Sequence, residues 1–275
     1  MEGEKYHTPL QPFGGLAQIK WGPEGGRIAY TSKKLSGREY TLSTNSGIYI
    51  YDLGSKTTRH LTKGMEGYDR EPAFSSNGRY VAWLSMRRDG YESDRNRLFV
   101  HDFEENESFE VTTDFDADAH SPVWGGDNKT VYITSNWRGE NHIFKTDITN
   151  RSVKQLSQGR YNYSSIDYEN GSLITMRESM NDPEALFEID PVSGSTDRLT
   201  HVNREMLEEW KDVQIKKRMV ETTDGKEMLT WVIYPPDFDP NKSYPALLYL
   251  QGGPQSGLTH CPQSPSPNWQ FTAPL

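Results

Sequence analysis

Hydrophobic and polar positions alternate in short runs along the first 200 residues, and the same run returns four times. Each copy opens on a large apolar residue, passes through a polar turn and leads to an apolar strand that ends in Asp. A further aliphatic residue follows nine positions after each Asp. The copies open at Trp21, Phe74, Trp124 and Ile166, and their aspartates are Asp52, Asp102, Asp147 and Asp190. Repeats of roughly 42 to 53 residues, each made of two hairpins, indicate β-propeller blades.

The second copy shows how the pattern produces strands. Residues 72–74 and 79–84 are apolar runs on either side of a turn that contains Asn77 and Gly78. Asn-Gly supplies the positive φ angles of a tight hairpin. Two further runs, at 98–102 and 109–111, complete a four-stranded antiparallel sheet. Such a sheet buries its faces only by stacking against neighbours, so the fold class is mainly β, with about four blades visible.

Two copies carry extra residues between their second and third strands. The insertions fall in 33–46 and 86–96, and the second is densely charged. Insertions on one face of a propeller often form its binding surface. The charged insertion is therefore either a solvated loop, which is the ordinary interpretation, or a substrate- or partner-facing wall. Its candidate residues are Arg87, Arg88, Tyr91 and Glu92.

The pattern changes after residue 200. A polar linker is predicted at 201–211, followed by two strands, 216–222 and 227–235, around an Asp-Gly turn. The continuous apolar run at 244–250 predicts a strand that is buried on both faces. It leads into Gln251, Gly252 and Gly253, where the glycines allow a close backbone approach to a ligand and a neighbouring donor can face an oxyanion.

These segments resemble the prolyl oligopeptidase family of serine peptidases, most closely its dipeptidyl-peptidase and acylaminoacyl-peptidase branches. The resemblance rests on the four repeats followed by Thr-Thr-Asp-Gly225, Trp231-Val-Ile-Tyr-Pro-Pro236 and Gly252-Gly-Pro-Gln-Ser256. It implies a propeller that caps an α/β-hydrolase domain and admits only short peptides. It also implies that the residue before Gly-Gly-Pro donates to the oxyanion. Gln251 stands there in place of the usual His or Tyr, and its amide can also donate.

The catalytic triad of that family is not found in the 275 residues. No serine has glycine two positions before it, so the Gly-x-Ser-x-Gly elbow is missing. Neither Ser256 nor His260 has the neighbouring residues that a catalytic serine or histidine of a triad needs. The Pro-rich stretch 257–275 has the composition of a disordered or aberrant tail, such as a frameshift would produce. We expect an incomplete peptidase that is inactive alone, and the alternative is a stand-alone propeller that binds a peptide or a protein.

The predicted organisation is therefore a partial propeller, the start of a hydrolase domain and a tail. The propeller occupies 8–200, the linker 201–211, the first strands of the α/β-hydrolase domain 212–256, and the tail 257–275. Because an unclosed propeller leaves strand edges open, we also expect self-association through those edges.

The charge and the hydrophobic content of the chain limit the classes of partner that we expect. The formal charge is −9 with scattered basic residues, and no apolar run approaches the roughly 18 residues of a membrane helix. We expect short peptides as substrates, with neither nucleic acid nor a membrane as partner. No cofactor or metal is predicted, since zinc motifs are missing and the acidic run 114–118 lacks the Gly and Glu of a calcium loop. Without a signal peptide the default location is the cytoplasm, and the periplasm is the alternative if further residues precede Met1.

Overall fold

Strands dominate the computed structural model, which describes residues 5–11, 14–209, 212–248 and 259. Four sheets have four strands each, and in every one the strands lie side by side in chain order. The first sheet contains β1 (Ile19–Trp21), β2 (Arg27–Ser32), β3 (Gly47–Asp52) and β4 (Thr57–His60). The second contains β5 (Asp69–Phe74), β6 (Tyr80–Ser85), β7 (Arg97–Asp102) and β8 (Glu107–Glu110). The blades predicted from the repeats are confirmed here.

The other two blades follow the same plan. The third contains β9 (His120–Trp124), β10 (Thr130–Trp137), β11 (Glu140–Asp147) and β12 (Ser152–Gln155). The fourth contains β13 (Asn162–Glu169), β14 (Ser172–Ser179), β15 (Asp182–Ile189) and β16 (Thr196–Arg198). The short elements between and after the blades are a 3₁₀ turn (Leu16–Gln18), α1 (Gly37–Leu42), α2 (Arg204–Glu209), β17 (Ile215–Glu221) and β18 (Glu227–Ile233).

The chain forms two compact units. The first comprises Met1–Ser135, Ile143–Leu156 and Ile166–Gly171. The second comprises Asn136–His142, Ser157–Ser165 and Ser172–Leu275.

The blade aspartates hold the turn between the third and fourth strands. Asp52 accepts hydrogen bonds from the backbone and hydroxyl of Ser55, and Asp190 does the same with Ser193. Asp102 accepts from the backbone N–H of Glu104 and also pairs with Arg79, with 2.6 Å between Nη2 and Oδ2. A carboxylate that accepts local backbone N–H groups fixes a turn without help from other strands. The recurrent Asp in the sequence is therefore a structural cap.

The first strand of three blades contains a residue with positive φ at an equivalent position. Glu71, Ser121 and Ser165 have φ angles of 55°, 49° and 50°, which few non-glycine residues adopt. The strand register shifts beside the first two of them. Three residues further along come Phe74, Trp124 and Tyr168, so these aromatic residues occupy equivalent positions.

The fourth blade differs from the sequence prediction, which placed Ile166 at that position. Its first hairpin turns through only Asn170 and Gly171, whose φ angles are 51° and 89°, as a two-residue type I′ turn requires. This turn is two residues shorter than the turns of the earlier blades. The equivalent residue is therefore Tyr168, and the pattern of apolar residues alone could not show the shorter turn.

Each of these aromatic residues contacts the second strand of the preceding blade. Trp124 stacks on Tyr80 at 5.7 Å between ring centroids, and its Nε1 donates to the carbonyl of Ala73 at 2.8 Å. Tyr168 stacks on Tyr132 at 5.8 Å, and the guanidinium of Arg27 lies 5.7 Å from the ring centroid of Phe74. Stacking between neighbouring blades buries faces that a single blade leaves open.

The second strands form the centre of the core. Tyr30, Val81, Trp83 and Ile133 are fully buried. One cluster joins the first two blades, because residues of both blades pack together in it: Ala29, Ile48, Ile50, Val81 and Trp83. Burying side chains of this size contributes roughly 1.5–3 kcal/mol each to folding.

The region after the blades agrees with the prediction in part. The β17–β18 hairpin is confirmed, and α2 lies in the predicted linker region. The predicted strand at 244–250 is wrong over its described part, since residues 243–248 form no strand and Leu247 and Leu248 are 82% and 81% exposed. A strand buried on both faces needs paired neighbours. The only strands after residue 200 in the described residues are β17 and β18, which pair with each other.

No helix among the described residues is long and apolar enough to cross a membrane.

Candidate functional site

A cavity of about 590 Å³ opens on the first blade, inside the first unit. Its lining combines strand residues of that blade with both insertions that the sequence singled out. The strands and their ends supply Ser32, Ser46, Gly47, Tyr49 and His60; the first insertion supplies Lys34, Leu35, Glu39, Leu42, Ser43 and Asn45; and the second supplies Asp89. The two insertions therefore lie together and form one wall.

Asp89 fastens the second insertion to the first. Its carboxylate accepts hydrogen bonds from the hydroxyl of Ser43 at 2.8 and 2.9 Å, from the backbone N–H of Thr44 at 2.7 Å and from that of Asn45 at 3.1 Å. The backbone N–H of Gly90 in turn donates to the hydroxyl of Thr44 at 2.9 Å. Partial burial raises the pKa of Asp89, but these hydrogen bonds outweigh it and hold the pKa below its ordinary value. The carboxylate therefore stays ionised and keeps the wall in one arrangement.

An aromatic stack forms the floor of the cavity. Tyr49 lies between Tyr30 and His60, with ring centroids 5.4 and 4.3 Å away. Tyr49 and His60 face each other across β3 and β4 as a cross-strand pair. Gly47 makes room for the imidazole, because a Cβ at this position would collide with Nε2 of His60. The ammonium group of Lys34 lies 4.4 Å from the centroid of the Tyr49 ring.

His60 lines the cavity, and its protonation is affected by burial and by two lysines. Desolvation of the imidazole against Tyr49 lowers the pKa of His60, and the charges of Lys34 and Lys63 lower it further. The imidazole ring is therefore neutral at ordinary pH.

The predicted wall residues lie on the second insertion but do not line this cavity. Arg88 pairs with Asp94, with 2.5 Å between Nη2 and Oδ1, and its guanidinium lies 3.9 Å from the ring centroid of Tyr91. Tyr91 remains 46% exposed, and Arg87 and Glu92 are exposed on the same loop. These contacts brace the outer side of the loop, and Arg88 uses its charge within it.

The other predicted site lies outside the described residues. This applies to Gln251, Gly252 and Gly253, the oxyanion-hole candidates, and to Ser256 and His260. Over the parts of the chain that the structure describes, no group of three or more His, Cys, Asp or Glu side chains could hold a metal ion.

The sequence did not point to Lys34, Tyr49 or His60. Tyr49 and His60 occupy ordinary strand positions of the first blade, and the pattern gives them no distinguishing mark. Lys34 lies in the first insertion, 33–46, which the sequence marks only by its length. The signal available was that both long insertions belong to neighbouring blades, which places them side by side.

A family model described as the TolB β-propeller domain matches residues 16–211. Among curated proteins, dipeptidyl-peptidase 5 of Porphyromonas gingivalis is 41% identical over 259 residues, which cover 94% of this chain and 38% of that protein. Dipeptidyl-peptidase 5 of Aspergillus fumigatus is 27% identical, covering 90% of this chain and 36% of that protein. The chain thus spans less than two fifths of the length of these relatives.

Solved structures agree on the fold. The acylaminoacyl peptidase of Pyrococcus horikoshii superposes with a TM-score of 0.64 at 18% identity, covering 82% of this chain and 33% of that one. An acylaminoacyl peptidase in complex with Z-Gly-Gly-Phe-chloromethyl ketone gives a TM-score of 0.65 at 19% identity, with the same coverage. At this level of identity the likeness concerns architecture alone.

Proposed function

Because this chain belongs to the TolB β-propeller family and resembles the prolyl oligopeptidase family over its propeller part, we propose that it is the substrate-gating part of a serine peptidase that cleaves short peptides. The peptidase would be of the dipeptidyl- or acylaminoacyl-peptidase type. The relatives named above carry these activities in their names, and the chain aligns with them over nearly all of its length.

One observation carries the proposal. The relative with 41% identity is a dipeptidyl-peptidase, and the alignment includes both insertions that form the braced wall of the cavity. A wall held by ionised Asp89 is rigid enough to select among short, flexible ligands, since a preformed site loses less entropy on binding. The propeller would therefore choose substrates while another part of the enzyme performs the chemistry.

The test replaces the aligned segment of the Porphyromonas gingivalis dipeptidyl-peptidase 5 with the corresponding 259 residues of this chain. We expect the chimera to release dipeptides from a chromogenic dipeptidyl substrate. A second chimera that carries a TolB propeller segment of equal length is the control and should be inactive. A chimera that is folded by circular dichroism yet hydrolyses nothing would refute the proposal.

We further propose that the 275-residue chain alone performs no triad-dependent hydrolysis. Its sequence offers no Gly-x-Ser-x-Gly elbow to activate a serine. A fluorophosphonate probe should leave the chain unlabelled under conditions that label the intact Porphyromonas relative. Stable labelling of a serine in this chain, located by peptide mass spectrometry, would contradict this.

The second candidate is a propeller that binds a peptide or protein and does no chemistry. The cavity on the first blade favours it, because binding there requires nothing from the residues after 200. This candidate predicts saturable binding to the chain together with an inactive chimera. The peptidase proposal predicts an active chimera, so the two outcomes are distinct.

We also propose that the chain associates with a second copy of itself. Trp21 pairs with Ile28 in the same register that Trp124 makes with Val131, but Trp21 is 60% exposed and Trp124 only 7%. Leu16, five residues earlier, is 87% exposed. An exposed apolar face of this kind favours contact with a second copy. Sedimentation velocity should show association that weakens in Trp21→Ser, and a concentration-independent monomer would contradict it.

A further inference from the structure

Asp69 occupies a position where the repeat does not need a carboxyl group. It begins β5 and is fully buried, and neither of its oxygens has a hydrogen-bond partner among the described residues. The equivalent position of the third blade holds Ala119, which is equally buried. The backbone N–H of Asp69 donates to the carbonyl of Ser46 at 3.3 Å, and that of Ala119 donates to the carbonyl of Asn96 at 2.9 Å. Because the same backbone contacts form around an alanine, packing does not account for the carboxyl group.

The carboxyl group lies at the base of both insertions. Asp69 pairs across the strands with Ser85, the residue before the second insertion, and Ser85 pairs with Arg97, the residue after it. The three residues therefore form one row across β5, β6 and β7. Ser46, the last residue of the first insertion, donates its hydroxyl to the backbone carbonyl of Asp69 at 2.8 Å. A change at Asp69 can therefore reach the ends of both insertions directly.

Two anchors hold the ends of the second insertion, and both use donors from this row. The hydroxyl of Ser85 donates to the carbonyl of Met86 at 3.1 Å. Nε of Arg97 donates to the carbonyl of Ser85 at 3.3 Å, and its Nη1 lies 3.4 Å from Oε2 of Glu110. The two contacts of Arg97 are longer than an ordinary hydrogen bond of this kind. A negative charge on Asp69 would compete with these acceptors for the same donors.

We propose that ionisation of Asp69 draws the Ser85 hydroxyl and the Arg97 guanidinium away from these anchors. The ends of the second insertion are then tight when Asp69 is protonated and loosened when it is ionised. The tip of the insertion stays bound to the first insertion in both states, because Asp89 holds it there. This inference goes beyond the proposed function and does not rest on the peptidase activity.

The surroundings of Asp69 place its titration in the neutral range. Burial raises the pKa of Asp69 to about 6, although the donors of Ser85, Thr62 and Trp83 and the charge of Arg97 oppose the shift. The protonated acid therefore predominates below about pH 6 in the folded protein, and the carboxylate predominates above it. A buried carboxylate without hydrogen bonds is costly, so the ionised state is the one that gains from recruiting these donors.

The charged and titratable groups on the surrounding elements are few. β6 and the residue Thr62 offer neutral donors to Asp69. The other elements carry Arg97 on β7, Glu110 on β8 behind Arg97, His60 on β4, which stacks on Tyr49, His120 on β9, which lies near Arg70, and Tyr68, Arg70 and Glu71 on the segment of Asp69 itself.

The first experiment measures amide hydrogen exchange by NMR on the full chain at pH 5 and pH 7.5, with each rate divided by the intrinsic rate at that pH. The amides of Met86 and Asn96 report the two ends, since they donate to the carbonyl of Tyr68 at 3.2 Å and to Oδ1 of Asp118 at 2.7 Å. Their protection should fall about tenfold at the higher pH, as loss of the anchors requires. Gly90, which donates to Thr44 at the braced tip, should change less.

Two results of this experiment would overturn the proposal. Equal protection of Met86 and Asn96 at the two pH values would show that the ends do not respond. A change at Gly90 as large as that at Met86 would show that the whole insertion loosens, and not its ends.

Variants assign the pH dependence to Asp69. Asp69→Ala copies the third blade, and Asp69→Asn keeps the shape of the side chain without a titrating group. In both, the protection of Met86 and Asn96 should be the same at pH 5 and pH 7.5. Asp52→Asn removes a turn-capping carboxyl of the neighbouring blade and should retain the tenfold change. A pH dependence that survives in Asp69→Ala would reject the assignment.

The midpoint of the transition distinguishes titration of Asp69 from a structural effect of the substitutions. In the wild type, the carboxyl carbon of Asp69, followed by NMR, should titrate with the same midpoint as the exchange of Met86. This comparison needs no variant and stays decisive if a substitution prevents folding. Arg97→Gln removes a charge that lowers the pKa of Asp69, so both midpoints should move to higher pH. Midpoints that differ in the wild type, or that stay in place in Arg97→Gln, would refute the mechanism.

Discussion

Asp69 is a fully buried carboxyl group in the first unit, and its replacement by Asn should stabilise the protein at neutral pH. Burial raises the pKa of Asp69 from 3.8 to about 6, although Ser85, Thr62, Arg97 and Trp83 lie near enough to oppose the shift. Neither carboxyl oxygen has a well-formed hydrogen bond to them. At pH 7 the protein therefore carries an ionised carboxylate in a place that favours the neutral acid.

The magnitude follows from the shift. At ~1.36 kcal/mol per pKa unit, the rise from 3.8 to about 6 corresponds to about 3 kcal/mol. The sign is fixed by proton binding, since the folded state holds the proton more tightly than the unfolded chain. This group therefore destabilises the protein at pH above about 6, and the penalty is relieved as the pH falls from 6 toward 4. Asp69→Asn removes it at every pH.

The assay is urea unfolding followed by tryptophan fluorescence between pH 4 and pH 8. The variant should exceed the wild type by up to about 3 kcal/mol at pH 7.5 and match it near pH 4. Asp190→Asn is the control, because hydrogen bonds from Ser193 and Val192 lower the pKa of that exposed Asp and its contribution is lost as the pH falls. A difference between Asp69→Asn and wild type that is independent of pH would refute the reasoning.

Two further pairs of substitutions test the packing. Trp124→Ala should cost about 3–5 kcal/mol in chemical denaturation because a stacked, hydrogen-bonded indole is lost, whereas Trp21→Ala, at the same blade position but exposed, should stay within about 0.5 kcal/mol. Lys217→Gln should cost about 1–3 kcal/mol in the same assay, since it leaves the buried carboxylate of Glu140 without its partner at 2.8 Å. Lys226→Gln breaks an exposed ion pair with Asp224 and should leave the denaturation midpoint unchanged. If the buried and the exposed substitution of either comparison lost equal stability, burial would not determine the free-energy cost.

The blades were predictable because their signals are local. An Asn-Gly turn and an Asp that caps the next turn act within a few residues, so each can be read without knowing what the strands pack against. The position of Tyr168 was not predictable in this way. Its place depends on the turn at 170–171 being two residues shorter, and an apolar pattern fits Ile166 equally well.

The cavity depends on contacts that are distant in sequence. Asp89 meets Thr44 across 45 positions, and the stack on Tyr49 joins three strands. The sequence showed that both insertions exist and that the second is charged. It could not show that Asp89 turns inward to the first insertion while Arg88 turns to Asp94. Tertiary contacts decide which groups pair, because the sequence alone does not say which arginine of the insertion pairs with which carboxylate.

Strands and insertions contribute separately to the stability of the first blade and to the lining of its cavity. Stability lies in fully buried strand residues such as Trp83 and in the turn-capping aspartates, none of which lines the cavity. The cavity wall is held by the carboxylate of Asp89, which accepts from the hydroxyl of Ser43 and from the backbone N–H groups of Thr44 and Asn45. The two backbone donors are present whatever side chains stand at these positions. Substitutions at Lys34, Leu35 or Leu42 should therefore change the lining of the cavity while the brace stays intact. Binding and stability should vary independently in this blade, as expected for sites with no shared partners.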